Sequence, residues 1–310
     1  MQKRVHNEYC NSLTRSVLFY ISFVSILNSR GLIESDLLYK CLNSTTISSL
    51  DLSFNLPPIT TVVMPQKDKI TLFWLPHTRA QRIVWLLEEL GLEYNLHMEE
   101  SVQLVRAPES YKKYFPLGKV PIVHIEKPDG TVKKFGESGF IVQYLVEHYD
   151  TTGKFKPTTE DDKELVDYFN HYSEGTIQPL LVGLLVNNVA GKSMPFPVSV
   201  LVKTVVGKID QGYYQPELEK NVEYLNDFLK AQHSKGRKWF VGDKISAADI
   251  MLSFPIQSVI TTDYGATVKP IKETYPDVYQ YFQDITSEPA WVRAAEKVKN
   301  YDQVVINGKL

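Results

Sequence analysis

Cysteine is nearly absent: the chain of 310 residues has two, Cys10 and Cys41, both in its first fifth. The remainder therefore holds no disulfide framework, no cysteine-rich zinc site and no cysteine nucleophile, and no metal is expected. An excess of charge of one sign is lacking too. With 34 Lys and Arg against 36 Asp and Glu the formal charge is -2, which leaves no electrostatic footprint for nucleic acid or an anionic surface. Nucleic acid is not expected as a partner. The apolar run Val17–Leu27, VLFYISFVSIL, falls well short of the roughly 20 residues that cross a bilayer. What is present, 43% hydrophobic and 23% charged residues, is an ordinary globular composition with enough chain for one large core or two modest ones.

The segment 1–66 reads differently from the rest. Ser and Thr are frequent, Arg4, Arg15 and Arg30 are spaced along it, and Val17–Leu27 forms its apolar run. That run fits the roughly 7–15 residues of a signal-peptide core, but no small-residue cleavage site follows. The Arg and Ser content suits a transit peptide, against which Glu8, Glu34 and Asp36 count. A third reading starts the mature protein at Met64, which opens MPQKDKITLFWLPHTRAQR and leads straight into a first strand. These readings stay open, and membrane association through the extension depends on them.

From Lys69 onward the pattern is regular. ITLFWL (70–75) is a short β-rich run, and AQRIVWLLEELG carries a helix ending at Gly91, where a C-terminal glycine is expected. LEYNLHM reads as a second strand. KVPIVHI and TVKKFGES, joined by the Pro128-Asp129-Gly130 turn, read as a hairpin. A helix then spans 139–149, with Ile141, Tyr144 and Leu145 at one-face spacing. The order is βαβ, then ββα. Beyond the link TTGKFKPTTEDD only helices are expected: 163–190, 197–211, 216–232, 247–260, and 276–299 in two pieces broken near Pro289. Pro179 and Pro255 predict kinks or breaks inside them.

The stretch FGESGFIVQYL sets Glu137 and Ser138 at a strand-to-helix junction. Unpaired backbone N–H groups there, with a hydroxyl beside them, make a compact anion site, and the neighbouring carboxylate suits an ammonium. The pair can grip an amino-acid head group, or Ser138 can simply cap the helix. Pro121, opening the third strand, cannot donate a ladder bond, so Val120 can turn its own N–H and C=O outward to an extended peptide ligand. Lys119 can then reach a terminal carboxylate, or be a solvated surface lysine.

This arrangement resembles the cytosolic glutathione transferase family. The resemblance covers Lys69 to about Tyr301 and is carried by WLPHTRAQRIVWLLEELGLEY, PLGKVPIV, FGESGFIVQYL, FVGDKISAADIMLSFP and YPDVYQYFQDITSEPAW in family order. IQPLL, MPFP and SAADIMLSFPIQ are most similar to a fungal branch. It implies an α/β thioredoxin-like domain over 67–150, a linker over 151–162, an all-α domain over 163–301 and a tail over 302–310, after the extension 1–66. By the same resemblance Val120, with Pro121 behind it, pairs with the cysteinyl backbone of glutathione, Glu137 and Ser138 hold the γ-glutamyl end, and Lys119 approaches the glycine carboxylate. A homodimer is implied, and a pocket for a hydrophobic electrophile near Leu180 to Met194. The location implied is cytoplasmic, or at the endoplasmic reticulum or another membrane if the extension anchors the chain.

Ser246 and Asp249 have capping-box spacing, and family members carry the same box, so the pair is assigned to folding. Trp74, Trp85, Trp239 and Trp291 are read as core or domain-interface packing. The catalytic group is where the chain departs from the family. The thiol of glutathione resembles free cysteine, with a pKa of about 8.5, and must ionise to attack; most classes place a Tyr, Ser or Cys in the turn before the first helix. Here the turn is LPHTRAQR, which offers the Thr78 hydroxyl, the His77 imidazole and a helix N-terminus. Thr78 is the first candidate and His77 the second, although Thr78 to Gln81 also has capping-box spacing. The activity implied is conjugation of the glutathione thiolate to apolar electrophiles, with hydroperoxide reduction alongside. The alternative is a glutathione-binding regulatory or scaffold protein that keeps the fold without turnover.

Overall fold

In a computed structural model the described residues are 67–99, 107–262 and 269–307. The whole extension 1–66, with Cys10, Cys41, Val17–Leu27 and Met64, lies outside them, as does the end of the expected tail. Four strands, β1 (Lys69–Phe73), β2 (Tyr94–His97), β3 (Ile122–Glu126) and β4 (Val132–Phe135), form one sheet in the order β2-β1-β3-β4. β1 pairs in parallel with β2 across α1 (Ala80–Glu89), and the β1–β3 and β3–β4 pairs are antiparallel. β1 and β4 therefore run the same way, and the register Phe73↔Ile122 and Val123↔Phe135 brings their C-terminal ends beside the start of β3. α1 stops in a Schellman motif: Gly91 takes φ 63°, Leu92 N–H bonds the Leu87 carbonyl at 3.0 Å and Gly91 N–H that of Glu88 at 3.2 Å. α2 (Ser138–Tyr149) follows β4.

The helical half comprises α3 (Glu160–Tyr172), α4 (Gln178–Ser193), α5 (Val198–Ile209), α6 (Gln215–His233), α7 (Ala247–Thr261), α8 (Ile271–Thr274), α9 (Pro276–Ser287) and α10 (Pro289–Asn307). Three boundaries differ from those expected. α3 begins inside the expected linker 151–162, because Thr159 caps it by accepting Asp162 N–H at 3.0 Å and three acids sit in its first turn. The span 163–190 is not one helix, since a π-type turn, Ser173–Ile177, separates α3 from α4 and leaves Pro179 harmlessly in the first turn of α4. α10 runs to Asn307, past the expected end at residue 301. The core of this half stacks aromatic edges on faces: Phe240 lies 5.0 Å from Phe169 and 4.8 Å from Tyr281. α7 opens on the Ser246–Asp249 capping box, and the buried Asp249 carboxylate also accepts Phe240 N–H and the Tyr281 hydroxyl.

The two halves meet on α1, which buries Ile83, Val84, Trp85, Leu86 and Leu87 together with the charged Arg82 and Glu88. Trp85 packs edge-on against Trp291 of α10, ring centres 5.2 Å apart. At its other end sits Arg82, fully buried. Its guanidinium donates from Nη2 to Glu174 Oε1 at 2.6 Å and from Nη1 to the Met251 carbonyl at 2.9 Å. That carbonyl is free because Pro255, four residues on in α7, has no N–H to offer it; it also accepts the Ser173 hydroxyl at 2.7 Å. A helix proline thus supplies the acceptor that a buried arginine requires.

Candidate functional site

Three chain junctions converge at one end of the sheet: the turn between β1 and α1, the lead into β3, and the link from β4 to α2. A cleft between them is lined by Arg79, Lys119, Val120, Pro121, Glu137 and Ser138, with Phe115, Leu117 and Gly136. The Val120–Pro121 peptide bond is cis. Pro121 and Ser138 are buried, Val120 is partly so, and Glu137 and Lys119 are exposed. Glu137 holds φ 66°, a left-handed conformation that a non-glycine residue adopts at a cost of about 1–3 kcal/mol. Its backbone carbonyl accepts Ile141 N–H at 3.0 Å, so α2 starts directly behind it. Gly136 leaves room for Phe115, since a Cβ there would stand 2.7 Å from the ring. The five residues assigned from sequence to glutathione thus line one cleft, together with Arg79.

His77 and Thr78 are beside the cleft rather than on its wall. His77 is exposed and, like Glu137, has a positive φ, 56°. The Thr78 hydroxyl donates to the Leu75 carbonyl at 2.7 Å and accepts Ala80 N–H at 3.3 Å. The Thr78–Gln81 capping box does not form: α1 starts after Arg79, and Gln81 N–H bonds the backbone carbonyl of Thr78. Its hydroxyl proton is therefore committed to a turn carbonyl in this state, and a bound thiolate would have to win it from Leu75.

Arg79 and Glu174 were not singled out in the sequence. Arg79 Nη1 bonds Glu174 Oε2 at 2.6 Å, so one carboxylate is shared by Arg79 on the cleft and Arg82 in the core. Burial pushes the Glu174 carboxyl up, but the two guanidinium groups outweigh it and hold it below the usual carboxylate range. Arg79 was legible only as the residue between the turn and the helix. Nothing local marks Glu174.

Taken together, the cleft can hold an ammonium on Glu137, a carboxylate at the Ser138 end of α2, an extended backbone at Val120 and a second carboxylate near Lys119. The N-terminus of α2, which starts at Ser138, adds the positive end of its helix dipole. Family models described as the glutathione S-transferase N-terminal and C-terminal domains match residues 68–147 and 193–289. Glutathione S-transferase 1 of Saccharomyces cerevisiae is 34% identical over 232 residues, which are 74% of this chain and 95% of that relative. A solved glutathione S-transferase from Actinobacillus pleuropneumoniae superposes with a TM-score of 0.55 at 28% identity, covering 74% of this chain and 93% of that one. Another, from Burkholderia graminis and described with two glutathione molecules per subunit, gives a TM-score of 0.57 at 24% identity over 73% of this chain and 87% of that one.

Proposed function

The chain belongs to the glutathione S-transferase family, and from that premise we propose that it binds glutathione in the cleft at the sheet end and transfers its thiolate to apolar electrophiles. The sulfur forms a bond to an electrophilic carbon while the leaving group departs with the electron pair of the broken bond. With an organic hydroperoxide the same thiolate attacks the terminal oxygen and the O–O bond breaks, the alkoxide leaving as the alcohol and the sulfur becoming a sulfenic acid; a second glutathione thiol then displaces its hydroxyl to give the disulfide and water. Glutathione bound to the Burkholderia graminis protein supports the choice of ligand. The observation that carries the reading is the convergence of Val120, Glu137, Ser138 and Lys119 on one cleft. Val120 pairs with the cysteinyl backbone, Ser138 and Glu137 take the γ-glutamyl carboxylate and amine, and Lys119 faces the glycine carboxylate.

Calorimetric titration with glutathione, paired with a spectroscopic conjugation assay on an aryl halide, tests this. Ser138→Ala should weaken binding by about 1.5–3 kcal/mol, the range for a hydrogen bond to a charged group, and Glu137→Gln should weaken it as well. Unchanged affinity in both variants would put the ligand elsewhere. Binding without turnover would favour the scaffold reading, which the engaged Thr78 hydroxyl supports.

A homodimer belongs to the same proposal. α5 buries none of its residues, and Leu201 is 67% exposed alongside Val198, Val205 and Ile209, with Val182 and Val186 exposed on α4. An apolar face of that extent calls for cover. Analytical ultracentrifugation should find a dimer that Leu201→Asp with Val205→Asp converts to monomer; a monomeric wild type would overturn the assignment of this face.

A further inference from the structure

We propose that the Arg79 guanidinium, aligned by Glu174, is the cation that faces the glutathione sulfur and holds it as a thiolate. The proposal rests on the glutathione-binding reading above and names the group that the sequence left open. Arg79 is the last residue before α1 and lines the cleft with Val120, Glu137 and Ser138. Its side chain is 36% exposed, so the charge is within reach of a ligand yet partly stripped of water.

The charges around it do not cancel. Glu174 is one carboxylate between two guanidinium groups, each at 2.6 Å. Arg82 is enclosed in the core, so the surplus positive charge is presented where Arg79 meets the cleft. Arginine cannot lose its proton in a protein, so this charge is present at every working pH. The other groups around the cleft are less suited to the sulfur. The Thr78 hydroxyl already donates its hydrogen bond to the Leu75 carbonyl, and Lys119, Glu137 and His77 are exposed. The anchor matters as well. A guanidinium anchored through Nη1 on Glu174 needs little reordering when the sulfur ionises, and the proton leaves to solvent through the open cleft.

The test is the ultraviolet absorbance of bound thiolate against pH, with calorimetric glutathione affinity measured on the same samples. Wild type should titrate below the value of about 8.5 for a free thiol. Arg79→Ala should raise the bound-thiol pKa by at least about one unit, in line with loss of an opposite charge within about 4–6 Å, and lower the conjugation kcat at neutral pH about tenfold. Arg79→Lys should recover part of the shift. A thermal melt of each variant checks that the fold is retained, and the lysine variant keeps a cation on the turn if the alanine variant does not fold. An Arg79→Ala protein that titrates like wild type overturns the proposal. So does one that loses affinity with the thiol unshifted, because Arg79 would then be a carboxylate clamp. A shift that follows Thr78→Val instead returns the role to the hydroxyl. Wild type that binds no glutathione would fail at the calorimeter, before any titration, and would take down the reading beneath the proposal.

Discussion

Glu174→Gln is expected to lower the unfolding free energy by about 3–5 kcal/mol, the cost of leaving a buried charge without its partner. Arg82 has no exposed surface, and among the described residues its partners other than Glu174 carry no charge: the Ser173 hydroxyl, the Met251 carbonyl and sulfur, and the Phe254 ring. Glutamine keeps the shape and one acceptor oxygen but removes the charge, so the loss reports electrostatics rather than a cavity. Urea denaturation at neutral pH reads it as a lower midpoint at unchanged slope. Acid sharpens the case. The Glu174 carboxyl is held below its ordinary range in the fold, so its stabilising contribution is complete above the unfolded carboxylate pKa of about 4.3 and disappears as pH falls through the folded value. The difference between wild type and Glu174→Gln should therefore shrink below about pH 4. A loss under about 1 kcal/mol at neutral pH would mean that the Arg82–Glu174 pair contributes no more than a surface contact.

Asp249→Ala should be comparably severe. The carboxylate accepts Ser246 N–H and the Ser246 hydroxyl, both at 2.8 Å, Phe240 N–H at 3.0 Å and the Tyr281 hydroxyl at 2.9 Å. All four partners donate, so alanine strands several donors in a dry interior at about 1–3 kcal/mol each where no water can reach. Loss of the helix cap adds about 1 kcal/mol. A total of about 5 kcal/mol or more is expected, read again from denaturation midpoints. Ser246→Ala, which removes a single hydroxyl and leaves Phe240 and Tyr281 satisfied, should cost only about 1 kcal/mol. Equal losses in the two variants would show that Asp249 acts as a cap alone.

The contrast between these two carboxylates explains what could be read in advance. Asp249 was legible because its partner Ser246 is three residues away, and local spacing is visible in a sequence. Glu174 was not, because its partners Arg79 and Arg82 lie 95 and 92 residues upstream. The cleft was legible for the first reason: Pro121 before a strand and Glu137-Ser138 before a helix are each complete local signals. The π-type turn at Ser173–Ile177 escaped because one widened turn barely disturbs the apolar period of a helical run. Thr78 was harder still. Its neighbours allowed a cap, a turn contact or a ligand contact, and backbone geometry rather than residue type selected the bond to Leu75.

The acceptor provided by Pro255 has a consequence for how the protein is made. Arg82 is translated early, and the carbonyl that receives it belongs to Met251, 169 residues later. At about 5–20 residues per second the ribosome needs roughly 8–34 s to close that gap. Glu88 waits longer, since its partner Arg293 comes 205 residues after it. Through this interval the sheet and its first helix can assemble while Arg82 lacks Met251 and Trp85 lacks Trp291. The amino-terminal half therefore cannot complete the Arg82 site or cover Trp85 until the helical half has been made, although Glu174, only 92 residues after Arg82, comes well before Met251.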